Sequence, residues 1–304
     1  MKHLFIINPN AGKKKKTAQL EHEIKELDCD CEVVYTGKQG DAERFAREAA
    51  QSGEPVRIYA CGGDGTLNEV VNGAAGYDNA AITNVPIGTG NDYLKIFGPK
   101  NRERFCDLKA LKDGPQAAMD LIDCNGKLGI GVVCAGVDAR IAYDVDRYKR
   151  LPLIRGIGAY ILSLIVNVMF KGISRPTVVD IQDLHYVGET SIICICCGRY
   201  YGGGFMPVGD NMPDDGKFEV LIVPKVGRFT FFRLVSVYAK GGYRQLADRI
   251  WAYQGTELSF RSNDERDLIA VIDGEGMVRK DFKVKIADQK VNFFYPADLN
   301  YNPL

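Results

Sequence analysis

Three short turns hold most of the chemistry this sequence could do. The first is Cys61-Gly62-Gly63-Asp64-Gly65-Thr66-Leu67-Asn68-Glu69, which follows an apolar run and opens an amphipathic one. Glycines let backbone N–H groups come close to phosphate oxygens, and a helix starting there adds partial positive charge. Asp64 supplies a carboxylate that can meet a divalent cation through water or steer an acceptor group. The second turn, Pro86-Ile87-Gly88-Thr89-Gly90-Asn91-Asp92, places a hydroxyl between two glycines, where a phosphate could meet it. Its Asn91 and Asp92 are suited to capping the helix that follows. The third, Val271-Ile272-Asp273-Gly274-Glu275-Gly276, sets two carboxylates two residues apart at a strand end. One can take the proton of an attacking hydroxyl while the other orients it. The same residues also suit an ordinary hairpin turn.

A fourth segment, Asn8-Pro9-Asn10-Ala11-Gly12-Lys13, looks like a phosphate-binding loop without being a Walker A motif. That motif needs Gly where Ile7 stands and Ser or Thr where Lys14 stands. P-loop nucleoside triphosphatases are therefore disfavoured.

The elements that must position these turns follow from the pattern. Residues 2–8, 31–35, 56–61 and 81–86 read as strands, the first a continuous apolar run typical of a buried parallel strand. Between them Lys13–Leu27, Asp41–Ala50 and Thr66–Ala74 read as helices, with Asp41 a candidate N-cap. Alternation of this kind predicts an α/β domain with a mostly parallel sheet, whose carboxyl edge is where ligands bind. After about residue 120 the texture changes to strands at 128–135, 177–182, 191–198, 218–223, 257–261, 268–272 and 282–286, with helical segments at 156–170 and 229–240. That predicts a mostly β, sandwich-like second domain. The expected boundaries are 1–122 and 123–289, with the tail 290–304 returning to the first domain.

Composition narrows the classes. Of 304 residues 46% are hydrophobic and 26% charged, and Lys plus Arg equals Asp plus Glu, so the formal net charge is zero. A nucleic-acid binder would show a basic excess. The nine cysteines include Cys194, Cys196 and Cys197 in an apolar run and form no C-x-x-C pair, which reads as structural thiols in a reducing compartment. The apolar start, Leu4–Ile7, is too short for a secretory leader. The longest uncharged stretch, Gly156–Phe170, falls short of the roughly 18–20 residues of a spanning helix. A cytoplasmic protein without a membrane span is expected.

Taken in order, Asn-Pro-x-Ala-Gly, Gly-Gly-Asp-Gly-Thr-x-Asn-Glu, Pro-x-Gly-Thr-x-Asn-Asp and the late Asp-Gly-Glu resemble the diacylglycerol-kinase catalytic family, which includes sphingosine and ceramide kinases and bacterial soluble lipid kinases. The resemblance spans nearly the whole chain. It implies an ATP- and Mg2+-dependent lipid kinase with its nucleotide in the cleft between the domains. By that resemblance Asn8 to Gly12 (Pro9, Asn10 and Ala11 among them), Thr36, Gly62 to Asn68 with Leu67, Gly88, Thr89 and Asn91 line the ATP site. Asp273 becomes the catalytic base, Glu275 its support, and Asp64 the organiser of Mg-ATP. A second, structural Mg2+ is implied at Asp215-Gly216, with Asp215 giving its carboxylate and Met212 and Lys217 their carbonyls.

Two departures from the family pattern stand out. Lys95 replaces an Arg, keeping the charge but losing the two-pronged guanidinium. Arg199 and Tyr200 stand where the family places Asn, putting a further cation near the cleft, with the acceptor head group as its expected object. Direct in-line transfer to a lipid hydroxyl is the expected reaction, most simply diacylglycerol to phosphatidic acid. Monoacylglycerol, a sphingoid base and a polyprenol are the other acceptors. The lipid tails would lie in an apolar groove walled by residues 157–170, unless that segment is a plain core helix. Membrane contact would be peripheral and transient at the inner face, and exposed strand edges make a homodimer plausible. A soluble NAD kinase-like enzyme and a non-catalytic nucleotide-binding regulator are the alternatives.

Overall fold

The computed structural model describes residues 1–12, 14–88, 90–149, 151 and 157–302. The chain opens with β1 (Lys2–Ile7), α1 (Lys14–Lys25), β2 (Asp30–Tyr35), α2 (Asp41–Gln51), β3 (Val56–Cys61), α3 (Asp64–Ala74), β4 (Ala80–Val85), α4 (Leu108–Lys112) and β5 (Gln116–Met119). The first four strands pair in parallel in the order β2-β1-β3-β4. Leu4 to Ile7 and Ile58 to Cys61 are buried, because helices cover the faces of this sheet, and so these strands run apolar instead of alternating. Parallel pairing brings the carboxyl ends of β1 to β4 to one edge. The loops at 8–12, 36–40, 62–63 and 86–92 therefore emerge side by side.

The second half runs β6 (Ile122–Cys124), β7 (Lys127–Gly129), β8 (Val132–Gly136), α5 (Val137–Lys149), α6 (Ile157–Ile165) continued by a π-helical turn at Val166–Phe170, then β9 (Arg175–Ile181), β10 (Leu184–Cys196), β11 (Phe218–Pro224), α7 (Arg228–Tyr238), β12 (Trp251–Gly255), β13 (Glu257–Ser262), β14 (Leu268–Ile272), β15 (Glu275–Arg279) and β16 (Asp281–Ile286). These strands form one eleven-stranded antiparallel sheet wrapped into a sandwich-like shape. β10 shows why its sequence is a continuous apolar run. Ile193 and Ile195 enter the core between the sheet's layers, while Ile192, Cys194 and Cys196 pack under α5, α6 and α7. The last strand, β17 (Val291–Phe294), lies in the first sheet, parallel to β4 and antiparallel to β5. An α/β half with a mostly parallel sheet and a sandwich-like β half are the architecture the sequence pattern predicts.

Several local expectations are corrected. α3 starts at Asp64, not Thr66, with Gly63 as its cap. Gly40, at φ 87°, caps α2; Asp41 is the first helical residue, and its Oδ2 accepts from the N–H groups of Gly37 and Lys38 at 2.8 and 2.9 Å. Neither Asn91 nor Asp92 caps the short helix Tyr93–Phe97 through its side chain, since both are drawn into tertiary contacts. The strand expected at 128–135 is interrupted between Gly129 and Val132, where the backbone turns its N–H groups to Asp273. The helical segment at 156–170 begins, within the described residues, at Ile157. α4, α5, β5, β6, β12, β15 and β17 had no counterpart in the pattern.

Candidate active site

Two cavities meet in the cleft. One, of about 840 Å³, is walled by the loops at the carboxyl ends of β1 to β4: Asn8, Asn10, Ala11, Gly12, Thr36, Gly63, Gly65, Thr66 and Gly88, with Lys38 and Gln39 at its rim. Its floor is backbone packed on backbone. A Cβ on Gly88 would stand 2.7 Å from Gly63 Cα, so the two glycine turns can touch because Gly88 lacks a side chain. Asn8 braces the cradle, its Nδ2 donating to Thr66 Oγ1 at 3.3 Å while its Oδ1 accepts from Asn10 N–H at 3.0 Å. Glu69, one helical turn on, accepts from Gly40 and Ala42 N–H at 2.9 and 3.0 Å and so fixes the loop after β2. These turns present glycine-rich backbone and the start of α3, an anion-binding arrangement.

The other cavity, of about 360 Å³, lies between the halves and is mostly apolar: Leu67, Tyr93, Ile130, Val132, Ala142, Val145, Tyr160 and Val271 line it. Among the described residues, Tyr160 is the only member of the 157–170 segment on this wall. At its inner side is a carboxylate the motifs did not reveal. Asp138, at the start of α5, accepts from Tyr201 OH at 3.0 Å and Ala139 N–H at 2.8 Å. Burial pushes its pKa up to about 6 against those two hydrogen bonds. The Gly-x-Asp at 136–138, directly after the strand expected at 128–135, was the available signal.

The two cavities share Asp64, Gly90, Asp273 and Gly274. Asp64 Oδ2 accepts from Asn91 N–H at 2.7 Å and Oδ1 from Asp92 N–H at 2.6 Å, which ties α3 to the second glycine turn. Burial, and then the nearby Asp92 carboxylate, push Asp64 up to about 6. Asp273 sits with Gly274 in a two-residue hairpin between β14 and β15, at φ 46° and 94°. Its carboxylate is held by the N–H groups of Ile130 (2.7 Å), Gly131 (3.1 Å) and Val132 (2.9 Å), with Asn68 Nδ2 at 3.4 Å. Gly131 must lack a side chain here, since a Cβ would come within 2.5 Å of Asp273 Oδ1. Burial raises the Asp273 pKa, and these donors oppose the rise.

Of the other expected residues, Glu275 faces the larger cavity, with Gln39 Nε2 donating to its Oε2 at 2.9 Å. Leu67 and Asn68 line the smaller one. Asn91 lies buried behind the turn, its Nδ2 donating to Gly62 O and Asn84 Oδ1 at 2.9 and 2.8 Å. Gly62 is likewise behind it, its carbonyl accepting from Gly88 N–H at 3.0 Å. Pro9 is on neither cavity wall, and Thr89 lies outside the described residues. Lys95 pairs with Asp92 at 2.5 Å. Arg199 is not a cleft cation. It is buried, donating to the carbonyls of Asn211 (2.7 Å), Ile96 (3.2 Å), Tyr301 and Asn302 (3.4 Å), and so binds the chain's end to both halves.

The two expected cation sites present their carboxylates differently. No group of three or more His, Cys, Asp or Glu among the described residues is spaced to cage a metal. Mg2+ is commonly held by one or two carboxylates together with substrate phosphates and water. Asp64, with Asp92 and Asp273 raising its proton affinity, is suited to it. Around Asp215 the expected donors are its carboxylate and the backbone carbonyls of Met212 and Lys217. Asp215 is exposed and accepts from Lys217 N–H at 3.1 Å within its own turn. The buried carboxylate beside that turn, Asp120, accepts from Gly216 N–H at 2.6 Å and pairs with Lys290 at 2.8 Å, so a side-chain ammonium already supplies its counter-charge.

Comparison with known proteins agrees with this fold. Residues 2–124 match the diacylglycerol kinase catalytic domain, and residues 131–294 match the YegS C-terminal NAD kinase beta sandwich-like domain. A diacylglycerol kinase of Bacillus subtilis is 30% identical over 243 residues, covering 78% of each chain. A diacylglycerol kinase of Staphylococcus epidermidis is 26% identical over 304 residues, covering 97% of this chain and 92% of its own. The fold is shared with a crystal structure of a diacylglycerol kinase from Bacillus anthracis, at TM-score 0.67 and 18% identity over 97% of this chain and 96% of that one.

Proposed function

This chain belongs to the diacylglycerol kinase family and is a lipid kinase, and from that premise we propose that it uses Mg-ATP to phosphorylate a lipid hydroxyl, diacylglycerol to phosphatidic acid. The observation that carries the proposal is the shared wall. A polar, glycine-floored cavity suited to a triphosphate and an apolar cavity suited to an acyl glycerol share Asp64, Gly90, Asp273 and Gly274 among the described residues.

The chain's own residues then divide the work. Backbone amides of Gly12, Gly63 and Gly65, on the wall of the larger cavity, bind and orient the triphosphate. The apolar wall around Tyr160 and Val145 seats the acyl chains, and the Asp138–Tyr201 pair offers the glycerol end a polar contact. The acceptor oxygen attacks the γ-phosphorus, a new P–O bond forms, and the bond to the β-bridging oxygen breaks, its electron pair leaving with ADP. Asp273 receives the acceptor proton, from a position fixed by three backbone N–H groups. Mg2+ held beside Asp64 would supply charge neutralisation on the triphosphate.

A second assignment is favoured by one observation. Asp64 has two backbone donors where Asp273 has three and an amide besides, so Asp64 keeps more free acceptor capacity, and burial pushes its pKa up to about 6. In that assignment Asp64 takes the proton and Asp273 orients the hydroxyl.

Transfer of labelled γ-phosphate from ATP to a panel of lipids in mixed micelles, with NAD as a parallel acceptor, tests the proposal. Labelled phosphatidic acid is the expected product. Label on NAD and on no lipid would overturn the diacylglycerol reading.

A further inference from the structure

The helical layer beside the acceptor cavity turns large apolar side chains outward. On α6 and its π-helical turn, Tyr160, Leu164 and Val168 pack inward, while Ile161, Ile165 and Met169 recur on the outer face and Phe170 is 79% exposed. On α7, Phe231, Leu234 and Tyr238 are buried, whereas Phe229 is 90% exposed and Phe232 also faces out. The two outer faces adjoin, because Arg228 at the start of α7 donates to the carbonyls of Val168 and Met169 at 3.0 and 3.2 Å. Exposed apolar side chains gathered on one face mark an interaction surface.

The chain around this face is cationic. Residues 220–247 carry Lys225, Arg228, Arg233, Lys240 and Arg244 and no Asp or Glu. Lys225 and Arg244 are paired with Glu189 and Asp210, whereas Arg233 and Lys240 enter no ion pair among the described residues. Aromatic side chains rimmed by cations match the interface of an anionic bilayer, where rings enter the headgroup layer and cations meet phosphates. A second copy of the chain fits worse, since a two-fold contact through this face would set its cations against themselves.

We propose that the outer face of α6, its π-helical turn and α7 docks on an anionic phospholipid surface. Docking there puts the acceptor cavity, which α6 walls through Tyr160, next to the lipid layer from which an acceptor must leave. The proposal rests on the lipid-kinase reading for the purpose of docking, and it concerns a surface outside both cavities.

Flotation of the full-length protein with phosphatidylcholine vesicles, with and without phosphatidylglycerol, tests it. The double variants Phe170→Ser/Phe229→Ser and Arg233→Glu/Lys240→Glu change only exposed positions. Wild type should float with the anionic vesicles at low salt. Each double variant should lose roughly tenfold in partitioning, while phosphorylating short-chain diacylglycerol in neutral detergent micelles as well as wild type does. Equal partitioning of wild type and both variants would overturn the proposal. So would a wild-type protein that ignores phosphatidylglycerol, or a dimer that the Phe variant dissociates without loss of vesicle binding. A wild type that floats and is released by these substitutions, yet phosphorylates no lipid, would uphold the docking face and overturn the substrate reading instead.

Discussion

The two halves of the molecule build their share of the cleft by opposite routes. In the α/β half each contributing loop directly follows a parallel strand, and its residues act close to where they stand in the chain: Gly62 to Thr66 make the turn, start α3 and wall the cavity within five positions. In the β half the key residue is held from far away. Asp273 lies on a hairpin, but the N–H groups that hold it come from Ile130, Gly131 and Val132, more than 140 positions earlier. A local site tolerates change in its surroundings, whereas a site assembled across a sheet depends on register. Gly131 shows this, because its missing side chain is what lets a remote carboxylate approach.

The largest expected effect tests the remote half directly. Asp273→Asn should lower phosphoryl transfer by roughly 10²–10⁴-fold, with nucleotide binding kept and the circular dichroism spectrum unchanged. Single-turnover rates beside equilibrium ATP binding would show this, and retained activity would move the proton to Asp64. Next, Gly131→Ala should cost about 10²-fold in kcat through displacement of Asp273 alone, since misplacement of about an ångström suffices. Unchanged turnover would break the claim that register governs this half.

Arg199→Ala probes the join between halves. It leaves several buried carbonyls without a donor and should cost about 3 kcal/mol of stability, read as a lower urea midpoint, with the acceptor preference unchanged. A shift in lipid preference would instead restore Arg199 as a head-group contact. The smallest effect concerns the local half. Because the Asp64 pKa is raised to about 6 in the ligand-free protein, its charged form is lost as pH falls below that value. If Asp64 serves the cation, the KM for Mg-ATP should rise about tenfold for each pH unit below 6 at constant kcat; if it is the base, kcat should fall instead. The same raised pKa makes stability fall as pH rises from about 4 through 6, because burial then has to accommodate the charge, and a thermal-melt series across that range measures it.

Much of this molecule was legible in its residues alone. The apolar runs, the turns that end them and the spacing of Gly63, Asp64, Gly88 and Gly90 determined a parallel α/β sheet with a phosphate-suited edge, because strand period, turn chemistry and backbone access are short-range properties. The change to a β-rich second half was legible for the same reason. What only the tertiary structure decided were matters of long-range pairing: that Asp273 is buried in a nest of N–H groups, that Arg199 fastens the chain's end and faces no ligand, that Lys290 neutralises Asp120, and that Asp138 lines the apolar cavity. No local pattern encodes these, since the energy of a buried charge depends on which distant donors the fold brings within hydrogen-bond reach.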